Sequence, residues 1–240
     1  MDPSAVAAIL VAAFVGAAMQ TAMGFGAAFT TVPMIALLAP ELLPVSAIVA
    51  FLPLTIVMAW RGRALADREA VARLVVARIP GVAIGTWIVA TQDANVLAGI
   101  VAVAMLLAVL AAARGWEVAV TPRSLAAVGF LAGITGTSAG LGGPPLALLY
   151  RHHVGEAMRA TLAATFVLGI TISLTTLSVA GQVTATQLRH GALFGIATIL
   201  GTLLAAPLVA RLSTARLRSG LLAWAGFGSV LALARALAKS

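Results

Sequence analysis

The sequence predicts an all-α polytopic membrane protein. It would be a single transmembrane domain over 1–240, built as two inverted repeats of about five helical segments, each beginning with a broken or re-entrant helix hairpin. Three observations carry this. Hydrophobic residues make up 62% of the chain and charged residues only 9%, against about 45–50% and about 25% in soluble domains, and the mean hydropathy is +1.10. Apolar segments of spanning or half-spanning length alternate with charged or Pro/Gly-rich points. The second half echoes the first.

In the first half the apolar segments are 4–20, 25–38, 45–60, 74–90 and 95–113. In the second they are 124–137, 143–150, 160–180, 187–210 and 217–237. Leu, Val, Ile and Ala surround each predicted helix on all sides, as lipid-embedded helices require. The period-two alternation of a membrane barrel is missing. The N-terminus, Met1-Asp2-Pro3-Ser4, has no positive leader region, so the first segment is expected to be retained.

The repeat spans 4–114 and 124–237. At an offset of 116, Phe14 meets Phe130, Thr21 meets Thr137, Gly24 meets Gly140, Gly26 meets Gly142, and Gly85-Thr86 meets Gly201-Thr202. The register then shifts to 121, where Gly99 meets Gly220 and Arg114 meets Arg235.

The first stretch, 4–38, has 35 residues, about 52 Å as one helix against a hydrocarbon core of about 30 Å. It breaks at Gly24-Phe25-Gly26. As one bent span it gives eight helices in two parallel four-helix halves, and the arginines divide almost evenly between the two sides. As a hairpin it inverts the second half. Eleven loop arginines then share one side, with Arg189, Arg235 and Lys239 opposite. The positive-inside rule selects the second arrangement, with both termini periplasmic. The short legs 124–137 and 143–150 indicate that at least one hairpin leg is re-entrant.

The chemistry is expected at the two breaks. One carries Gln20, Thr21, Gly24 and Gly26; the other carries Thr137, Ser138, Gly140, Gly142 and Gly143, followed by Pro144-Pro145. Unwound backbone at membrane depth is tolerated only inside protein or beside a wet cavity. Each break frees N–H groups at the start of a short helix, and such ends attract anions. A neutral, donor-rich site for a small anion follows, with the hydroxyls of Thr21, Thr137 and Ser138 among the donors. Gly142→Val is expected to strain the second break. Packing of small residues is the plainer alternative for the glycines. Arg78 either snorkels to the cytoplasmic interface or faces the cavity and pairs with an anion.

These motifs carry a resemblance. Gly24-Phe25-Gly26-Ala27-Ala28-Phe29-Thr30-Thr31-Val32-Pro33 resembles the first glycine motif of the sulfite exporter TauE/SafE family, with Ala27 and Ala28 in place of part of its glycine run. Gly140-Leu141-Gly142-Gly143-Pro144-Pro145, leading to Tyr150, resembles the second. The resemblance implies a bacterial inner-membrane permease for sulfite or organosulfonates, in a family commonly described with about eight helices.

Other readings are weaker. In a membrane protein the 15 Lys+Arg against 7 Asp+Glu set orientation rather than bind nucleic acid. There is no cysteine and no nucleotide-binding loop ending in Lys-Ser/Thr. Ser138 has no His or Lys partner in its apolar segment, which argues against an intramembrane enzyme. A non-transporting assembly subunit is the other alternative. No acid sits at the centre of an apolar segment, as a proton relay or cation site would want. No cofactor or metal is expected. His152-His153 reads as a solvated loop, and His190 as interfacial. Trp60, Trp87, Trp116 and Trp224 read as interface anchors or lipid-facing bulk, and Pro53, Pro80 and Pro207 as helix bends. The expected partners are a small anionic substrate and membrane lipid; self-association into a homo-oligomer is left open.

Overall fold

The computed structural model describes residues 1–114, 118–150, 155–205 and 214–238. Each of the ten apolar segments becomes a helix: α1 (Pro3–Met23), α2 (Ala27–Leu38), α3 (Val45–Gly62), α4 (Arg68–Thr91), α5 (Ala94–Ala113), α6 (Pro122–Ala139), α7 (Gly143–Leu149), α8 (Glu156–Val179), α9 (Ala185–Leu200) and α10 (Thr214–Leu237). A 3₁₀ turn, Pro40–Leu42, precedes α3, and a π-helical turn, Gly201–Ala205, continues α9. Six of the described helices, α1, α3, α4, α5, α8 and most of α10, are long and apolar enough to cross a membrane. Trp116, Pro207, Arg151, Arg211, Lys239 and the His152-His153 pair lie outside the described residues.

Both breaks fall where the glycines stand. α1 ends at Gly24 with φ 88°, and α6 ends at Gly140 with φ 70°; this left-handed cap is one that glycine adopts without steric cost. The returning legs are short. α2 has 12 residues and α7 has 7, about 18 Å and about 10 Å, so neither crosses a hydrocarbon core of about 30 Å. Gly16 allows the first hairpin to close: a methyl there would collide with the Thr30 hydroxyl and lie 2.9 Å from Ala27 Cα. The Thr30 hydroxyl donates to Ala12 O at 2.9 Å, tying α2 to α1.

α4 differs from its predicted bounds in a way that matters. The sequence reading begins this segment at Leu74, but the helix begins at Arg68. Asp67 caps it, accepting from the Ala70 N–H at 3.0 Å, and the Glu69–Arg73 pair at 2.7 Å supports the first turn. Arg78 therefore stands about 15 Å along the helix rather than near its end. Pro80 lies inside α4 and Pro53 inside α3, and both helices continue through them.

α4 lies directly on α6 through small residues. A methyl on Gly81 or Gly129 would strike the Phe130 or Leu74 carbonyl across the interface. One on Gly85 would come within 2.8 Å of Ile134 O, and one on Gly133 within 3.0 Å of Arg78 Cγ. Two glycine pairs at four-residue spacing, one per helix, bring the backbones together as small residues do between membrane helices. Elsewhere α1 packs on α9 and its π-helical turn, α3 packs against both α8 and α9, and α5 against α10. These four glycines stand outside the breaks and serve the packing of α4 on α6.

Candidate functional site

The α4–α6 seam aims the Arg78 side chain inward. Arg78 is only 3% exposed. Its guanidinium sits among three glycines: a methyl on Gly136 would collide with Nη2, one on Gly142 would lie 3.4 Å from both Nη atoms, and one on Gly169 would approach Cζ, Nη1 and Nε closer than 3.0 Å. Nε and Nη1 make no hydrogen bond among the described residues. No carboxylate forms an ion pair with Arg78 among those residues either. The snorkelling reading of Arg78 gives way to the inward one, because α4 starts earlier than the apolar pattern suggests.

Arg78 faces a cavity of about 40 Å³, taken as the space open to the centre of a water-sized sphere, which is room for a few waters or one small oxyanion. The two breaks supply Gln20 and Gly26 on one side and Gly140, Gly142 and Gly143 on the other. Gly136 and Thr55 add to the polar wall, and Phe29, Phe51, Phe166, Ile48 and Ile170 close the rest. Gln20 spans the first break: its Oε1 accepts from the Ala27 N–H at 3.2 Å, capping α2 and leaving the amide NH₂ as a donor.

The remaining predicted positions stand elsewhere. The Thr21 hydroxyl donates to Ala17 O at 2.9 Å and faces a different pocket. Thr137 shares a hydrogen bond of 2.8 Å with Ser173, and the Ser138 hydroxyl donates to Ile134 O at 2.8 Å. Gly24 packs against Leu162, Met158 and Arg159 of α8. The Thr21 and Ser138 hydroxyls are engaged because a Ser or Thr in an apolar helix bonds readily to its own preceding turn, while Thr137 is held by a hydroxyl of α8. Gly142 also differs from expectation. Its φ is −70°, which any residue adopts, so backbone conformation does not call for glycine there; a methyl would stand in van der Waals contact with the Arg78 guanidinium and take up space beside it.

Sequence reasoning missed Gly136, Gly169, Thr55 and the three phenylalanines. Gly136 stands at the repeat position of Gln20, 116 residues on. That pairing was the available signal: one half keeps a side chain where the other leaves space. The sulfite exporter TauE/SafE family model matches residues 8–232, and this stretch holds both breaks and Arg78.

The chain belongs to the sulfite exporter TauE/SafE family.

No curated protein and no solved structure matches it. TauE/SafE membership together with six long apolar helices makes this a multi-pass membrane protein of a transporter family. Its exposed aromatic residues fit such a surroundings: Trp60 is 68% and Trp87 65% exposed, with the Arg63 guanidinium 4.5 Å from the Trp60 ring centroid.

Proposed function

We propose that this TauE/SafE protein is a secondary transporter that carries a small oxyanion of sulfite's kind across the bacterial inner membrane. The site is the cavity between the two helix breaks. One observation carries the reading: a buried guanidinium points into that cavity with Nε and Nη1 making no hydrogen bond among the described residues. A buried charge is costly unless something completes it. An oxyanion accepting from the Arg78 fork, the Gln20 amide and the N–H groups at the breaks supplies what is missing. The donor set is therefore charged, not neutral as the sequence suggests.

The dimensions favour a compact ion over a long organosulfonate. The space is small and walled largely by aromatic and aliphatic side chains, and no carboxylate among the cavity-lining residues would receive an ammonium group. An inside-negative membrane potential drives such an anion outward.

Transport is by alternating access about two inverted repeats. The contacts support this pairing: α6 lies on α4 as α1 lies on α9, and α3 meets α8 as α5 meets α10. The match runs one helical turn off the sequence register. Gly81 approaches the Phe130 carbonyl and Gly201 approaches the Phe14 carbonyl, so Gly201 takes the part of Gly81 rather than Gly85. Both termini are periplasmic in this arrangement.

The test is flux of radiolabelled sulfite in proteoliposomes, with binding to the purified protein. Arg78→Gln should weaken sulfite binding by roughly 10- to 150-fold, the worth of a charged hydrogen bond of about 1.5–3 kcal/mol. Arg78→Lys should fall between, since it keeps charge but loses the fork. Wild-type binding and flux in a folded Arg78→Gln protein would overturn the reading.

A further inference from the structure

A second cavity, of about 190 Å³ on the same measure, lies behind the first break. The last turn of α1 is the wall between the two: Gln20 lines the central cavity and the next residue, Thr21, lines this one. Its charged residues are Arg61 at the end of α3, and Glu156 and Arg159 in the first turn of α8. Two cations against one carboxylate leave the lining net positive. Arg159 Nη1 donates to Ala22 O at 3.3 Å, across 137 positions of chain, so it holds the first break directly. Glu156 stands 4.0 Å from Arg159 Nη2, beyond hydrogen-bond reach, with its side chain 77% exposed. Arg61 is exposed and has no ion-pair partner among the described residues.

We infer that this cavity is a second, weaker oxyanion site, a vestibule in which Arg61 and Arg159 hold the anion next to the first break before or after it occupies the site at Arg78. The inference rests on the anion reading of the central cavity. Its chemistry differs from that site: an exposed Arg61 and a half-buried Arg159, both reached by water, raise local anion concentration and encounter rate without binding tightly. Arg159 has a second part. An anion on its guanidinium competes with the Ala22 carbonyl, so arrival of cargo loosens the contact that pins the break to α8. Glu156 opposes the anion and limits its dwell time.

Steady-state flux of radiolabelled sulfite into oriented proteoliposomes tests this, measured from each face at low and high ionic strength. Arg61→Gln should raise the half-saturating sulfite concentration from one face by roughly two- to fivefold, leave maximal flux near wild type, and flatten the salt dependence. Arg61 is exposed and makes no ion pair among the described residues, and an unchanged elution profile of the purified variant separates a loss of anion contact from a loss of fold. Glu156→Gln should shift half-saturation the opposite way. Arg159→Gln should raise half-saturation and also change maximal flux, and Arg159→Lys should restore the first but not the second. Unchanged half-saturation and salt dependence in the Arg61→Gln, Arg159→Gln double variant would overturn the vestibule, while loss of binding in Arg78→Gln would still stand for the central site. If Arg78→Gln binds sulfite as wild type does and the double variant abolishes binding, the central reading fails and the vestibule alone is the site.

Discussion

At Gly169 and Gly136 the missing side chains leave the space that the Arg78 guanidinium fills. A methyl at Gly169 would approach Cζ, Nη1 and Nε closer than 3.0 Å, a distance at which the planar fork must move. Both helices are buried there, so displacement costs the donor geometry before it costs the fold. Gly169→Ala should therefore reduce sulfite affinity at least tenfold while the purified protein keeps its elution profile and helical circular dichroism. An affinity within twofold of wild type would mean that Arg78 is free to relocate. The same scale explains which predicted donors drop out. Gln20 can reach across the break to Ala27 because its side chain is long; the short hydroxyls of Thr21 and Ser138 reach only their own helix. Sequence spacing places Gln20 and Thr21 in the last turn before the first break and Ser138 in the last turn before the second, but does not say which face each occupies.

The two breaks are alike as elements and different in detail. Gly140 needs its left-handed φ of 70°, and a methyl there would lie 3.1 Å from Ala47 Cβ. Gly142, with φ −70°, has no such need, but a methyl there would stand 3.4 Å from both Nη atoms of Arg78, in the space beside the guanidinium. Gly140→Ala should lose about 1–2 kcal/mol of stability, the cost of a non-glycine left-handed residue, seen as earlier thermal loss of the monodisperse species in detergent. Gly142→Ala should stay as stable as wild type and bind sulfite more weakly. Equal stability of the two would show that the second break tolerates another backbone path. Both breaks were legible from glycine runs. The fate of α4 was not, because Asp67 and the Glu69–Arg73 pair extend it beyond its apolar portion, and an apolar count sees only what lipid touches.

For the whole molecule, the direction in which the repeats face decides the side of the membrane on which each loop lies. The arginine asymmetry argues for inversion: one side collects Arg61, Arg63, Arg68, Arg73, Arg114 and Arg123 from the first half together with arginines from the second. A cytoplasm-dependent reporter should be active when inserted near Arg68 and silent when fused after Ser240. Activity at Ser240 would restore the parallel arrangement of four-helix halves. The sequence by itself determined the helical class, the ten segments and the position of both breaks, because transfer to lipid depends on composition and a left-handed turn depends on glycine, and both are local. Only the tertiary structure decided that Arg78 looks inward, that Gly136 and Gly169 make its seat, and that three of the expected hydroxyls face elsewhere. Those outcomes depend on which helix faces meet, and the α4–α6 glycine seam sets that meeting across some fifty residues of chain, at a distance no local pattern encodes.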